Sequence, residues 1–189
     1  MHKQDTDRKY EWLQLAKDLM LKCVERDSVF SHELCPSTYS NDEADKKKSL
    51  KRVADLSREI STLAGRLAIL ERDGSIGAKA LGIDDEIART VIAILVIARL
   101  GGCAAYEVRK VSAVIDLVGG REPSRCLAIR NLFREDGLLF KHIYISLQPA
   151  LDDCRSVIRE SAFNKVLGQN SDESETVCNA AAMMGRWER

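Results

Sequence analysis

The side chains best suited to covalent or metal chemistry are six cysteines, Cys23, Cys35, Cys103, Cys126, Cys154 and Cys178, and three histidines, His2, His32 and His142. A zinc centre needs four soft or imidazole ligands at close spacing, usually as C-x-x-C pairs. Here no two cysteines stand in such a pair, and no histidine falls at ligand spacing from one. His32 and Cys35 are three residues apart, but their stretch is punctuated by Pro36, Ser37, Ser40 and Asn41. A cysteine nucleophile needs a base that is itself held in place by a third group, and none accompanies this pair. Gly74, Gly77 and Gly82 match neither the P-loop nor the dinucleotide-binding glycine pattern. No catalytic, cofactor-binding or metal-ligating residue is expected, and the chain reads as a binding module rather than an enzyme.

Recognition chemistry is concentrated in a helix expected over residues 123–135. On a helical wheel Cys126, Ile129, Leu132 and Phe133 share the core side, whereas Leu127, Arg130, Asn131 and Arg134 face outward. Arginine and asparagine can read guanine, adenine or phosphate, and the same set around an exposed leucine suits a protein partner. Arg121 and Arg125 lie near the helix start, where phosphate contacts form. Opposing them are Glu122, Glu135 and Asp136, so residues 121–141 hold five basic and three acidic side chains. The whole chain has 29 of each sign and no net charge, whereas a non-specific nucleic-acid binder draws its affinity from a basic excess. Three readings stay open for this face: an ordinary mixed-charge surface, a protein-docking face, or a nucleic-acid face.

The elements that must position this helix follow from periodicity. Residues 87–100 form an apolar rod with Val91, Ile92, Ile94, Leu95, Val96 and Ile97 on every side; such a helix must be covered from several directions. Asp84 is its expected cap. Gly101 and Gly102 end it, and a second helix is expected over 104–118. Gly119 and Gly120 stop that one, and Pro123 suits the first turn of the third. Strand-like residues 138–140 and 143–147 follow, joined by Lys141 and His142 as a two-residue turn. So short a wing reaches no neighbouring groove. After Pro149 a further helix is expected over 150–167, and residues 169–189 read as a tail or linker.

Ahead of this unit, residues 10–27 read as an amphipathic helix carrying Trp12, Ala16, Leu19, Met20 and Cys23, and residues 30–49 as a loop. Residues 50–72 hold a heptad seam: Val53, Ile60 and Leu67 in one column, Leu56, Leu63 and Leu70 in the other, with Arg66 and Glu71 as a flanking complementary pair. This seam serves either a hairpin with the first helix or a homodimer. The fold class expected is mostly α: an N-terminal helical hairpin (1–75), a winged helix-turn-helix-like unit with a small β-hairpin (81–168), and the tail. At 45% hydrophobic, 31% charged and only 5% aromatic residues, the core is aliphatic. The longest apolar run is far too short to span a bilayer, no targeting segment is evident, and reduced thiols in the cytoplasm are expected.

The order of the apolar helix 87–98, the Gly119–Gly120 break, Leu132 and Phe133 leading into 136–139, the segment 143–146 and the helix ending at Gly168 resembles a winged-helix-like domain. In a group of bacterial AAA-type ATPases such a domain precedes the ATPase core. The resemblance implies a non-catalytic module that positions partners or substrates, with nucleotide chemistry in a following core whose Walker motifs this chain lacks. A protein partner is the expectation it favours. The alternative from the residues alone is a dimeric DNA-binding transcriptional regulator using the Val53–Leu70 seam.

Overall fold

A computed structural model describes residues 3–34, 43–101, 110–146, 154 and 156–169. Among them are six helices: α1 (Lys3–His32), α2 (Glu43–Leu70), α3 (Glu86–Arg99), α4 (Val111–Gly119), α5 (Pro123–Leu132) and α6 (Glu160–Val166). Two short strands, β1 (Ile143–Ile145) and β2 (Ser156–Ile158), pair antiparallel between α5 and α6. The fold is therefore mostly helical with a small two-stranded sheet.

α3 is the spine. Every residue from Ala88 to Ile97 is buried, and the helix is packed by α1, α2, α4, α5, β2 and the 3-10 turn Ala78–Leu81. An all-apolar sequence drives this placement, because no orientation on a surface would hide more than one face. Its N-cap is Asp85, one residue beyond the expected Asp84: the Asp85 carboxylate accepts the Ala88 amide at 2.7 Å, while Asp84 pairs with Lys79.

α1 and α2 lie against one another along most of their length. The heptad seam faces α1, with Leu56, Ile60 and Leu67 buried and Val53, Leu63 and Leu70 half-buried, opposite Trp12, Leu15, Ala16, Leu19 and Cys23. α1 runs past its expected bounds at both ends, and α2 starts earlier than expected but stops at Leu70 rather than 72; together they shorten the expected loop 30–49, of which residues 35–42 lie outside the described residues. The ends are held by charge: Glu43 and Asp45 sit in α2's first turn, where the helix dipole favours acids. Ser49 donates to Glu33 at 2.6 Å, and Arg52 bridges Glu25 and Glu33. The expected Arg66–Glu71 pair does not form. Arg66 is exposed, and Glu71 turns inward to Arg89.

The small sheet departs from expectation. Residues 138–140 are not a strand, and Lys141-His142 is not a hairpin turn. Leu139 donates its amide back to the Leu132 carbonyl, and the amides of His142 and Ile143 return to Leu139, so this stretch closes into a 3-10 turn, Phe140–His142. Extended backbone starts only at Ile143, and its partner is β2, in register Ile143 with Ile158 and Tyr144 with Val157. Residues 156–158 had the look of the middle of a helix because Cys154, Val157, Ile158, Ala162 and Val166 also fit a helical period. Burial follows period two instead: Ser156 and Ile158 inward, Val157 outward. The expected helix 150–167 is thus confined to α6, with residues 150–153 outside the described set, as are 102–109, 147–149 and the expected tail from 170 onward. Arg99 ties α3 to this region by donating to the Ile158 carbonyl at 2.8 Å, pairing with Glu160 and lying 4.7 Å over the Phe163 ring.

Candidate functional site

α5 is an amphipathic helix fixed from below. Pro123 occupies its first turn, Glu122 precedes it, and Ser124 donates to the Glu122 carboxylate at 2.9 Å. Ile129 and Phe133 are buried and Cys126 is half-buried, its sulfur against Gly119 of α4. The wheel-derived outer face is where the structure puts it: Leu127, Arg130, Asn131 and Arg134 are all exposed, Leu127 at 60%.

Immediately after α5 the chain turns back under its own last carbonyls. Gly137 donates to the Arg134 carbonyl at 2.8 Å and lies so close to α5 that a Cβ there would meet the Asn131 and Leu132 carbonyl oxygens at 2.4 Å. Only glycine fits that approach. The fold-back leaves a groove of about 390 Å³ lined by Asn131, Leu132, Arg134, Asp136, Gly137 and Leu138. Leu138 is 52% exposed on its wall. Thus half of the four sequence-derived contact residues, Asn131 and Arg134, line a concave feature, while Leu127 and Arg130 lie one turn back on the same helix.

Two arginines tie this region to α1, Arg26 from α1 itself and Arg121 from the α4–α5 turn, and sequence reasoning missed that role for both. Arg26, 4% exposed, donates from Nη2 to the carbonyls of Leu117 and Val118 at 2.9 and 3.1 Å. It satisfies the orphan carbonyls at α4's C-terminal end, where a cation also suits the dipole. Burial is the main cause pulling its pKa down. Arg121, taken from sequence as a phosphate contact, instead donates to Asp27 at 3.3 Å and to Ser31 at 2.9 Å. Arg125 is half-buried with Nε away from solvent, so it too leaves the outer face. The outward basic set is reduced to Arg130 and Arg134, interrupted by Glu135 and Asp136.

A second polar cluster lies under α3. Glu71 accepts from Trp12 Nε1 at 2.8 Å and from Arg89 Nε at 3.0 Å, and Arg89 also donates to the Asp84 carbonyl. It joins α1, the end of α2 and α3 by one carboxylate that is 1% exposed. Gly77, at φ +70°, leaves the space that the Glu71 side chain fills. The signal in sequence was a single cation, Arg89, in a helix with no polar stripe; a buried guanidinium requires a partner.

The described thiols are Cys23, Cys126 and Cys154, none of them in a disulfide. Burial pushes the Cys23 thiol up to about 11 and also raises Cys126, the reverse of what a nucleophile needs. Cys154 precedes β2 rather than lying in a helix; Cys35, Cys103 and Cys178 are outside the described residues. His142 sits in the 3-10 turn, its pKa lowered first by burial and then by Lys141 and Lys165. Among the described residues no group of three or more His, Cys, Asp or Glu side chains is gathered as a metal site, and no helix is long and apolar enough to cross a membrane. Comparison of the chain with protein-family models, curated proteins and solved structures finds no match.

Proposed function

We propose that this chain is a non-catalytic interaction module whose unit from α3 to α6 is winged-helix-like and presents α5 and the following turn to a protein partner. The observation that carries the reading is the pairing of Leu127 and Leu138, both exposed, with a groove walled by Arg134, next to an α4 whose C-terminal end is held by buried Arg26. Rigid placement matters because a docking face that needs no ordering on binding loses less affinity to entropy. Exposed large apolar residues beside an arginine are the composition of an interface centre.

The order of elements supports the winged-helix-like reading: three helices, two paired strands, then a helix. Lys110, between α3 and α4, makes a β-bridge, and the adjacent Val111 amide donates to the Cys154 carbonyl at 2.9 Å beside β2. A place as the partner-positioning unit of an AAA-type ATPase is the extension that the sequence resemblance suggests.

The DNA-binding alternative gains one point and loses two. The connection between β1 and β2 spans 146–155, longer than a two-residue turn. Its charged residues in sequence, however, are Asp152, Asp153 and Arg155, an acidic balance unsuited to phosphate, and the centre of the α5 face is Leu127. Photo-reactive residues placed at Leu127 and at Leu138, with one at the exposed Glu86 at the start of α3 as a control, test the proposal in cells that express the chain. The expected result is the same protein adduct from both α5-side positions and none from the control. Adducts to nucleic acid, or none at either position, would overturn it.

A further inference from the structure

The open end of the two-stranded sheet gathers three cations, Lys141, Arg159 and Lys165, around His142. The Arg159 amide donates to the His142 carbonyl at 2.9 Å, which sets the start of α6 beside the 3-10 turn. Lys141, in that turn, and Lys165, near the end of α6, both act on the imidazole: after burial, their charges are what lower its pKa. No acid holds any of the three. Lys141 and Lys165 are exposed, and neither side chain makes a hydrogen bond or ion pair among the described residues. Arg159 donates only from Nε, to the Ile143 carbonyl at 3.2 Å. Glu160, the acid that follows it, pairs with Arg99. His142 Nε2 is buried with no partner. Uncompensated like charges in one corner repel one another, and an anion seated among them removes that cost.

We propose that this corner is a binding site for a phosphate group, held by Lys141, Lys165 and the Nη groups of Arg159. Valence selects the anion. A dianion with three acceptor oxygens engages three cations at once, whereas a carboxylate offers one charge and two oxygens. Length selects against a polyanion. At the far end of the strands the connection 146–155 carries Asp152 and Asp153 against Arg155 in sequence, a balance that repels a phosphate chain running along the hairpin. Tyr144, 61% exposed, opposes Val157 across the sheet, and Arg159 lies two residues past Val157, so the two share the outward side. An aromatic ring thus stands near the cations, where the organic part of a phosphate monoester would lie. The site is separate from the α5 face and does not depend on what that face binds.

Heteronuclear NMR of the full chain tests the site at about pH 7.5, where phosphate is largely a dianion. Sodium chloride holds the ionic strength constant, so screening does not change during the titration. Inorganic phosphate, added to about 50 mM, is expected to shift the amides of residues 140–144 and 159–166 saturably, with a Kd on the order of a few mM. Lys141→Gln and Lys165→Gln each weaken binding by about 3-fold and together by about 10-fold, the range for exposed charge pairs. Neither lysine makes a contact that folding needs, and Lys51→Gln, on the exposed side of α2, leaves binding unchanged. Phenyl phosphate distinguishes the sources of the group. Tighter binding than inorganic phosphate, lost with Tyr144→Ser, identifies a monoester; no tighter binding identifies the free ion. Acetate gives no saturable shift over the same range. Shifts that never saturate with phosphate overturn the proposal, as do saturable shifts that survive the double lysine variant or acetate binding as tight as phosphate.

Discussion

Replacing Glu71 should be the most damaging single change to a polar side chain in this protein. In the native structure its two oxygens accept from Trp12 Nε1 at 2.8 Å and Arg89 Nε at 3.0 Å, and the residue is 1% exposed. Glu71→Ala strands a guanidinium beneath α3 and removes the acceptor of the buried indole N–H. Breaking a buried ion pair by deleting one partner costs about 3–5 kcal/mol, and the orphaned indole donor adds about 1–3 kcal/mol. Relaxation around the cavity offsets part of the sum, so about 4 kcal/mol is expected, or roughly a 10 °C fall in Tm for a chain of this size. Removing the charge from both partners gives a different result. Glu71→Leu with Arg89→Met leaves no buried ion, a replacement that is close to neutral in itself, so only the orphaned Trp12 indole donor remains, at about 1–2 kcal/mol. The double variant should therefore be much more stable than Glu71→Ala, a non-additivity that urea unfolding followed by far-UV circular dichroism measures directly. A Glu71→Ala loss under about 1 kcal/mol, with no recovery in the double variant, refutes the picture of a carboxylate joining three helices.

Four further outcomes follow from the same structure. Gly77→Ala should lower stability by about 1–3 kcal/mol in thermal melts, through left-handed backbone strain plus collision with the Glu71 side chain. Arg26→Met should loosen α4 against α1, seen as faster amide exchange at the α4 and α5 amides, with a loss of about 2 kcal/mol for the two unsatisfied carbonyls. Cys23, whose thiol burial raises to about 11, should resist a thiol reagent at pH 8 in the folded chain and react only on unfolding, when its ordinary acidity returns. Asp73, held below the usual carboxylate range by Arg8, contributes stability that is present above the ordinary carboxylate pKa and lost as pH falls toward its depressed native value. NMR titration should show it still ionised when other surface carboxylates have protonated, and Arg8→Gln should move it back toward the ordinary range, with the Ser75 amide and hydroxyl still holding it partly down.

The apolar rod was legible because nothing between Ile87 and Ala98 except Arg89 and Thr90 offers water a strong contact. The outer face of α5 was legible for a similar reason: helical period separates Ile129 and Phe133 from Leu127, Arg130 and Arg134 without ambiguity. The sheet was not. Three-residue strands carry too few side chains to set period two against period 3.6, and Val157-Ile158 fitted both. The expected hairpin 138–147 failed because Leu139 spends its backbone groups on local turns, a choice fixed by Gly137 passing close beneath α5. The buried polar contacts were invisible for a different reason. Glu71 and Arg89, or Arg26 and the end of α4, meet only after three helices have packed, so no spacing along the chain announces them. Arg121 illustrates the hazard most clearly: its position suggested phosphate, and its partners are Asp27 and Ser31.

The central claim is that α5 and its trailing turn dock a protein. Its most direct measurement is the affinity of the cross-linked partner, once purified, for the native chain and for the triple variant Leu127→Ser, Arg130→Ser, Arg134→Ser. A weakening of about 100-fold or more is expected from losing an apolar anchor and two charged contacts, with the melting temperature unchanged because all three side chains are exposed. Equal affinity of the two proteins would contradict the account.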